Sequence, residues 1–233
     1  MADAAPPLST VSGRQLLAVV IACGLGVVTA YWALPPLLTR TGGDPAHLRL
    51  AVDAAAYFGV VAMVWLAAVR AKGWSAVGLR RCDPSLLWNG GFLAFVWIGV
   101  SSALYAAVGI WEIAIAYGVQ MIAPYREDEA ALVALFVLAG PIAALVEELL
   151  FRGIVYGWLR QRLNIAISAV LSALVFAAAH IGVFAAGPAA IIDMTVLAIL
   201  LALLFEVSRS LWPGILCHAL YNMLLLSLYL YRS

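Results

Sequence analysis

Charged residues are scarce in this chain of 233 residues, because Asp, Glu, Lys and Arg make up only 11% of it. An ordinary soluble domain carries about 25% charged residues. Hydrophobic residues make up 66% of the chain, and this balance excludes a soluble globular protein. A bilayer span needs about 20 apolar residues, so the apolar content is enough for about seven spans and makes the lipid bilayer the expected partner.

An excess of one charge is also lacking, as 13 basic and 12 acidic residues leave a net charge of +1. Without a basic stripe, the composition argues against nucleic acid as a partner. The three cysteines, Cys23, Cys82 and Cys217, are odd in number and show no CxxC spacing. We therefore expect neither a disulfide framework nor a cysteine zinc site.

Seven apolar runs are long enough to be predicted as transmembrane helices. They cover residues 15–38, 50–70, 86–108, 130–159, 165–187, 189–208 and 211–231. Residues 111–124 are apolar but too short to cross, which favours a re-entrant or interfacial piece and leaves an eighth span as the alternative. The expected fold is an all-α polytopic membrane bundle of about seven helices, within a range of six to eight, around an intramembrane polar cavity.

Basic residues are unevenly divided between the two ends of the predicted spans. One end carries Arg14, Arg70, Lys72, Arg80, Arg81, Arg160, Arg162 and Arg209, and the other carries Arg40, Arg49, Arg126 and Arg232. Because cytoplasmic loops are enriched in Lys and Arg, this division predicts a cytoplasmic N-terminus, with residues 1–13 as a cytoplasmic tail. We expect an integral protein of the plasma membrane.

Polar residues inside a span are costly to bury, so each is a candidate for function. Three compact clusters occur in the second half of the chain, at 147–152 (EELLFR), 176–180 (FAAAH) and 218–222 (HALYN). Two further acidic residues, Asp193 and Glu206, lie in the sixth predicted span and could join the site or a proton path. We interpret them as helix-packing or interfacial groups.

Helical spacing gives the first cluster a direction. Glu148 and Arg152 are four residues apart and can pair on one helix face, which would offset the cost of a guanidinium in the membrane. Glu147 is rotated from Glu148 by about 100° around the helix, so its carboxylate stays available for chemistry.

The other two clusters use the same four-residue spacing. His218 and Asn222 lie on one face and can address one substrate group together. Phe176 lies one turn before His180 and can form a wall beside its imidazole. Measured from the basic anchors, the depths of the three clusters differ by about 13 Å. Breaks near Pro141, Gly187-Pro188 or Pro213-Gly214 must therefore adjust the register if the clusters converge.

The patterns EExxxR at 147–152, FxxxH at 176–180 and HxxxN at 218–222, in this order on apolar helices, resemble the CPBP family of intramembrane proteases. This family includes CAAX prenyl endopeptidases and bacterial bacteriocin-processing (Abi) proteins. The resemblance covers roughly residues 130–233, with Pro141 before the first pattern and Gly153 directly after it. Residues 14–129 would be N-terminal membrane helices and 130–233 the catalytic membrane core of one structural domain.

The resemblance implies that Glu147 and His180 activate a water and that His218 and Asn222 stabilise the oxyanion. It also implies that Glu148 and Arg152 matter. Residue chemistry agrees, since a carboxylate can take a proton from an attacking water, and imidazole and amide groups can donate to an oxyanion. We expect a glutamate-type endopeptidase acting on a membrane-associated peptide or protein, with Glu148, Arg152 and Phe176 as supporting residues.

Two alternatives remain open. Glu147, His180 and His218 could hold zinc with one position left for water, although the HExxH motif is missing and a metal-free enzyme without a cofactor is favoured. A transporter or an immunity protein could use the same polar residues as a proton relay or as a binding site, although no inverted repeat is visible. The GxSG and GxGD motifs of other intramembrane proteases are also missing. The substrate could be a prenylated CAAX tail, a bacteriocin leader, a pheromone precursor or a sorting tag.

Overall fold

The computed structural model describes residues 11–28, 44–180 and 187–233. These ranges form eight helices and no strand: α1 (Gly13–Val28), α2 (Pro45–Lys72), α3 (Pro84–Ala107), α4 (Trp111–Ile122), α5 (Glu129–Arg160), α6 (Ile165–Ala179), α7 (Pro188–Ser208) and α8 (Trp212–Arg232). Most of the predicted tail, residues 29–38 of the first predicted span and residues 181–186 of the fifth lie outside the described residues.

The prediction of an all-α membrane bundle is confirmed. Five helices, α2, α3, α5, α7 and α8, are long and apolar enough to cross a bilayer. The helix α4 has 12 residues, which is shorter than a span, as expected. The prediction of one continuous span over 165–187 was wrong, because α6 ends at Ala179 after 15 residues.

Several helices begin at the polar residues that the sequence places there. Asp44, Asp83, Asp128 and Asn164 cap the starts of α2, α3, α5 and α6, each accepting from a backbone N–H two or three residues later. Proline follows directly after Asp44 and Asp83, where its missing N–H costs nothing. The hydrogen bond from the Ser85 N–H lowers the pKa of Asp83, which lies outside the spans.

The long helix α5 is not a regular α-helix. It contains two π-helical segments, Leu138–Ile142, which includes Pro141, and Glu148–Tyr156. A π segment contains an extra residue per turn and shifts the side chains that follow it, and such segments are frequent at functional sites. The expected break near Pro141 is thus present, on the helix that carries the first polar cluster.

Close backbone contacts hold the remaining helices around the second π segment. A Cβ at Gly153 would lie 2.7 Å from the Val77 carbonyl oxygen, so only glycine lets the short helical turn Trp74–Val77 pack against α5. Residues Ile154 and Tyr156 are fully buried beside Phe205 of α7. The middle of α5 therefore lies against α7 and α8, with α6 packed alongside.

Candidate active site

The carboxylate of Glu147 lies between two imidazoles from different helices. Its Oε2 is 3.5 Å from His180 Nε2 at the end of α6 and 3.7 Å from His218 Nε2 in α8. The exposed fraction of the side chain is 16% for Glu147, 27% for His180 and 4% for His218. All three predicted residues are thus brought together, and the group is open to solvent mainly on the His180 side.

Each imidazole is oriented by a bond to its other nitrogen. His180 Nδ1 lies 2.8 Å from the Phe176 carbonyl oxygen, and His218 Nδ1 lies 3.0 Å from Glu148 Oε1. A carbonyl oxygen and an ionised carboxylate oxygen only accept hydrogen bonds, so both Nδ1 atoms donate. In the neutral ring the Nε2 lone pair therefore faces Glu147 in both histidines.

The ion pair expected between Glu148 and Arg152 is present, with Arg152 Nη1 at 2.8 Å from Glu148 Oε1. Both side chains are almost completely buried. Arg152 also donates to the Ala198 carbonyl of α7 at 3.1 Å. Further bonds stabilise a buried pair of this kind, and His218 and Ala198 supply two of them. Glu148 Oε2 and Arg152 Nε are buried without a hydrogen-bond partner among the described residues.

The contact between Glu148 and His218 was missed by sequence reasoning. These residues are 70 positions apart on different helices, and no local spacing signals their contact. Glu148 therefore joins Arg152 to the imidazole that faces Glu147. The adjacent glutamates of the EExxxR motif contact opposite nitrogens of the same histidine.

Phe176 forms a wall beside both imidazoles, as its spacing from His180 indicated. Its ring centroid is 4.4 Å from that of His180 and 5.9 Å from that of His218. The Arg152 guanidinium lies 4.9 Å from the same ring. Because Phe176 is buried, it separates the nitrogen atoms of the site from the apolar packing of α6 and α7.

The expectation that His180 lies within an apolar helix was wrong. The helix α6 ends at Ala179, and His180 is its C-terminal cap with φ −100° and ψ 41°. This departure from helical geometry does not detach the side chain, because the bond from Nδ1 to the Phe176 carbonyl spans the last turn.

Asn222 is held by the backbone of α5. Its Nδ2 donates to the Ala139 carbonyl oxygen at 2.9 Å. In the described part of the chain, no hydrogen bond links Asn222 to Glu147, His180 or His218. A shared action of His218 and Asn222 on one substrate group therefore stays a prediction.

Glu147, His180 and His218 are the three residues that could hold zinc. In both histidines Nε2 can offer an electron pair to a metal, and Nδ1 is held by a hydrogen bond, as is typical of histidines that bind metals. However, no group of three His, Cys, Asp or Glu side chains within residues 11–28, 44–180 and 187–233 has an arrangement that could hold a metal ion. The zinc version stays an alternative to be tested.

The other acidic residues of the membrane helices have partners of a different kind. Glu206 of α7 accepts from the Tyr156 hydroxyl at 2.7 Å and from Arg160 Nε at 2.9 Å. Arg209 also donates to its Oε1 at 3.1 Å. Asp193 accepts from the hydroxyls of Tyr105 and Tyr221. These bonds join α3, α5, α7 and α8, in agreement with the interpretation as packing groups.

Comparison with known proteins connects the second half of the chain to a family. Residues 129–224 match the family model described as type II CAAX prenyl endopeptidase Rce1-like. No curated protein and no solved structure matches the chain. The matched segment extends from the start of α5 into α8 and includes all seven predicted site residues, so the resemblance inferred from the motifs is confirmed.

Proposed function

Because residues 129–224 carry an Rce1-like domain within an integral membrane protein that has the features of an intramembrane protease, we propose that Glu147 is its general base. The observation that carries this proposal is the position of Glu147 Oε2, 3.5 and 3.7 Å from two oriented imidazole nitrogens. Hydrogen bonds between nitrogen and oxygen have typical lengths of about 2.7–3.2 Å. Glu147 is therefore close to His180 and His218 without a direct hydrogen bond to either.

A water can complete this arrangement. Separations of 3.5 and 3.7 Å allow one water to hydrogen bond with the carboxylate and with an imidazole at the same time. Glu147 takes a proton from this water as its oxygen attacks the scissile carbonyl carbon. The same carboxyl group then returns the proton to the leaving amine as the peptide bond breaks.

The oxyanion formed by this attack needs hydrogen-bond donors in a dry environment. When both rings carry a proton at Nε2, that of His180 also assists the attacking water, and that of His218 joins the Asn222 amide as a donor for the oxyanion. Glu148 and Arg152 orient His218 through its Nδ1, and Phe176 limits the water around the two rings. The buried hydrogen bonds around these donors hold them in place before the reaction. Little energy is then needed to reorient them as the oxyanion forms.

The proposed substrate is a membrane-associated peptide or protein. The description of the matched family makes a prenylated CAAX tail the first substrate to test, ahead of a bacteriocin leader, a pheromone precursor or a sorting tag. The division of Arg and Lys between the helix ends supports a cytoplasmic N-terminus and a place in the plasma membrane.

The proposal is tested with purified protein in detergent or vesicles and a fluorogenic prenylated peptide. Glu147→Gln keeps the shape of the side chain but removes the base, so we expect the turnover rate to fall by about 10²–10⁴-fold. The matched control is Glu112→Gln, an exposed glutamate paired with Arg232, which should cleave at the wild-type rate. Wild-type turnover by Glu147→Gln would refute the general-base role.

The same assay decides between the two versions of the chemistry. A metal-free enzyme keeps its rate after dialysis against a strong chelator. A rate that is lost on chelation and restored only by zinc would favour the metal version. Solute or proton flux through vesicles, with no peptide cleaved by the wild-type protein, would favour a transporter.

A further inference from the structure

The Ala139 carbonyl in the first π segment of α5 has lost its usual partner. In a regular α-helix this oxygen would accept from the N–H of residue 143. Here the Ala143 N–H points to the carbonyls of Leu138 and Gly140. Pro141 lies inside the segment, and its missing N–H interrupts the regular bond to the Val137 carbonyl. The Ala139 oxygen thus lacks the N–H that a regular α-helix would supply, and it lies on the side of α5 that Asn222 of α8 reaches.

The donor that takes this position is Asn222, whose Nδ2 lies 2.9 Å from the Ala139 oxygen. The two helices can approach this closely because residue 140 is glycine. A Cβ built on Gly140 would lie 2.9 Å from Met223 Cγ, inside normal contact distance. Met223 directly follows Asn222 in the sequence. The packing of Met223 against Gly140 therefore sets the distance between the Asn222 amide and the Ala139 carbonyl.

An asparagine amide has two N–H donors. With one of them bound to the Ala139 carbonyl, the plane of the amide is fixed and the second N–H has a defined direction. His218 lies one helical turn earlier on α8 and faces Glu147. The second N–H of Asn222 can stabilise an oxyanion beside His218 effectively only if it is oriented before the oxyanion forms.

We propose that Gly140 and Pro141 are positioning residues that act through Asn222, an inference that rests on the proposed peptidase function. Pro141 maintains the π segment that exposes the Ala139 carbonyl. Gly140 allows α8 to approach, so that the Asn222 amide binds this carbonyl. Neither residue contacts the substrate; they act by fixing the direction of one donor.

The first test is a double-mutant cycle between Pro141→Ala and Asn222→Ala. Alanine at 141 supplies an N–H and lets the segment relax to an α-helix, in which the Ala143 N–H recovers the Ala139 carbonyl. We expect kcat to fall about tenfold with KM unchanged. Asn222→Ala should lower kcat by about 10²–10³-fold, the cost of losing one oxyanion donor. In that background Pro141→Ala should have no further effect.

The matched control is Pro84→Ala, at the first turn of α3, which should leave kcat unchanged in both backgrounds. A second pair of variants answers the question if Pro141→Ala does not fold. Gly140→Ala should lower kcat by pushing against Met223, and Gly140→Ala combined with Met223→Ala should restore it.

Three outcomes would overturn the inference. In the first, Pro141→Ala and Gly140→Ala both cleave at the wild-type rate while Asn222→Ala is impaired. In the second, Pro141→Ala lowers kcat by the same factor with or without Asn222. In the third, Asn222→Ala is itself fully active. All three leave Glu147 as the base, whereas an active Glu147→Gln enzyme would refute the proposed function instead.

Discussion

Glu147 in α5 and Glu206 in α7 are both carboxylates on membrane helices, and their surroundings differ in how completely they are paired. Glu206 accepts four hydrogen bonds, one from Tyr156, two from Arg160 and one from Arg209. Glu147 faces two imidazoles beyond hydrogen-bond length. A carboxylate whose oxygens are all hydrogen bonded holds helices together. A carboxylate that lies near imidazoles without a direct hydrogen bond to them can take a proton from a water.

The same stretch of α5 supplies an arginine to each of these two regions. The second π segment contains Arg152, which lies at the candidate site, and the helical turn that follows it contains Arg160. Arg152 pairs with Glu148 in full burial, and Arg160 pairs with Glu206 near the basic end of the helix. One helix thus supplies a cation to each carboxylate network. Burial and the number of bonds, more than residue type, separate the proposed reactive group from the structural one.

The largest effect on stability is expected from Arg152→Ala. This change leaves Glu148 buried without its ion pair, which typically costs about 3–5 kcal/mol in the free energy of unfolding. Thermal unfolding in detergent, followed by circular dichroism, measures the loss. The matched control is Arg162→Ala, because Arg162 is exposed and stacks on Trp158 at 4.0 Å. Equal unfolding temperatures for the two variants would contradict the special status of the buried pair.

A smaller effect on stability, with no effect on chemistry, is expected from Glu206→Gln. The amide removes the charge that Arg160 and Arg209 share, so we expect the free energy of unfolding to fall by about 1–2 kcal/mol. Peptidase turnover per folded molecule should match that of the wild type. If turnover instead falls as far as in Glu147→Gln, the division between a reactive and a structural carboxylate is wrong.

The smallest effect concerns the cap of α3, outside both networks. The Ser85 N–H lowers the folded-state pKa of Asp83. The carboxylate therefore contributes stability above its unfolded pKa, and this contribution is lost as the pH falls through the folded pKa. Asp83→Asn keeps a capping oxygen but cannot titrate. Between about pH 6 and pH 2, where carboxyl groups titrate, the unfolding midpoint of the wild type should fall slightly more than that of Asp83→Asn.

A pH dependence identical in Asp83→Asn and the wild type would show that the cap does not contribute through its charge. Both proteins carry the same groups in the membrane helices, so their response to pH cancels in the comparison. The capping bond itself would still be measurable with Asp83→Ala.

Much of the architecture was predictable, because it depends on local signals. Apolar runs located seven helices, and capping residues such as Asp83 and Asn164 mark where two of them start. The prediction failed at His180, where the α6 backbone leaves the helix although the sequence stays apolar beyond it. Apolar composition reports the environment of a segment and not its backbone geometry.

In the candidate site too, contacts within one helix were predictable from the sequence and contacts between helices were not. The pair of Glu148 and Arg152 and the contact of Phe176 with His180 follow from a spacing of four residues on one helix. The bond from Glu148 to His218 and the bond from Asn222 to the Ala139 carbonyl join different helices. Spacing along the chain holds no information about either of them.

The sequence by itself determined that this protein lies in a membrane, which residues are polar within it, and which of them are neighbours on one helix. These properties depend on composition and on the helical period, which are local. Only the tertiary structure decided that Glu147 lies between two imidazoles, that Glu148 holds one of them, and that a π segment presents a carbonyl to Asn222. Those contacts depend on how neighbouring helices pack and shift in register, and that is fixed by the summed packing of the bundle.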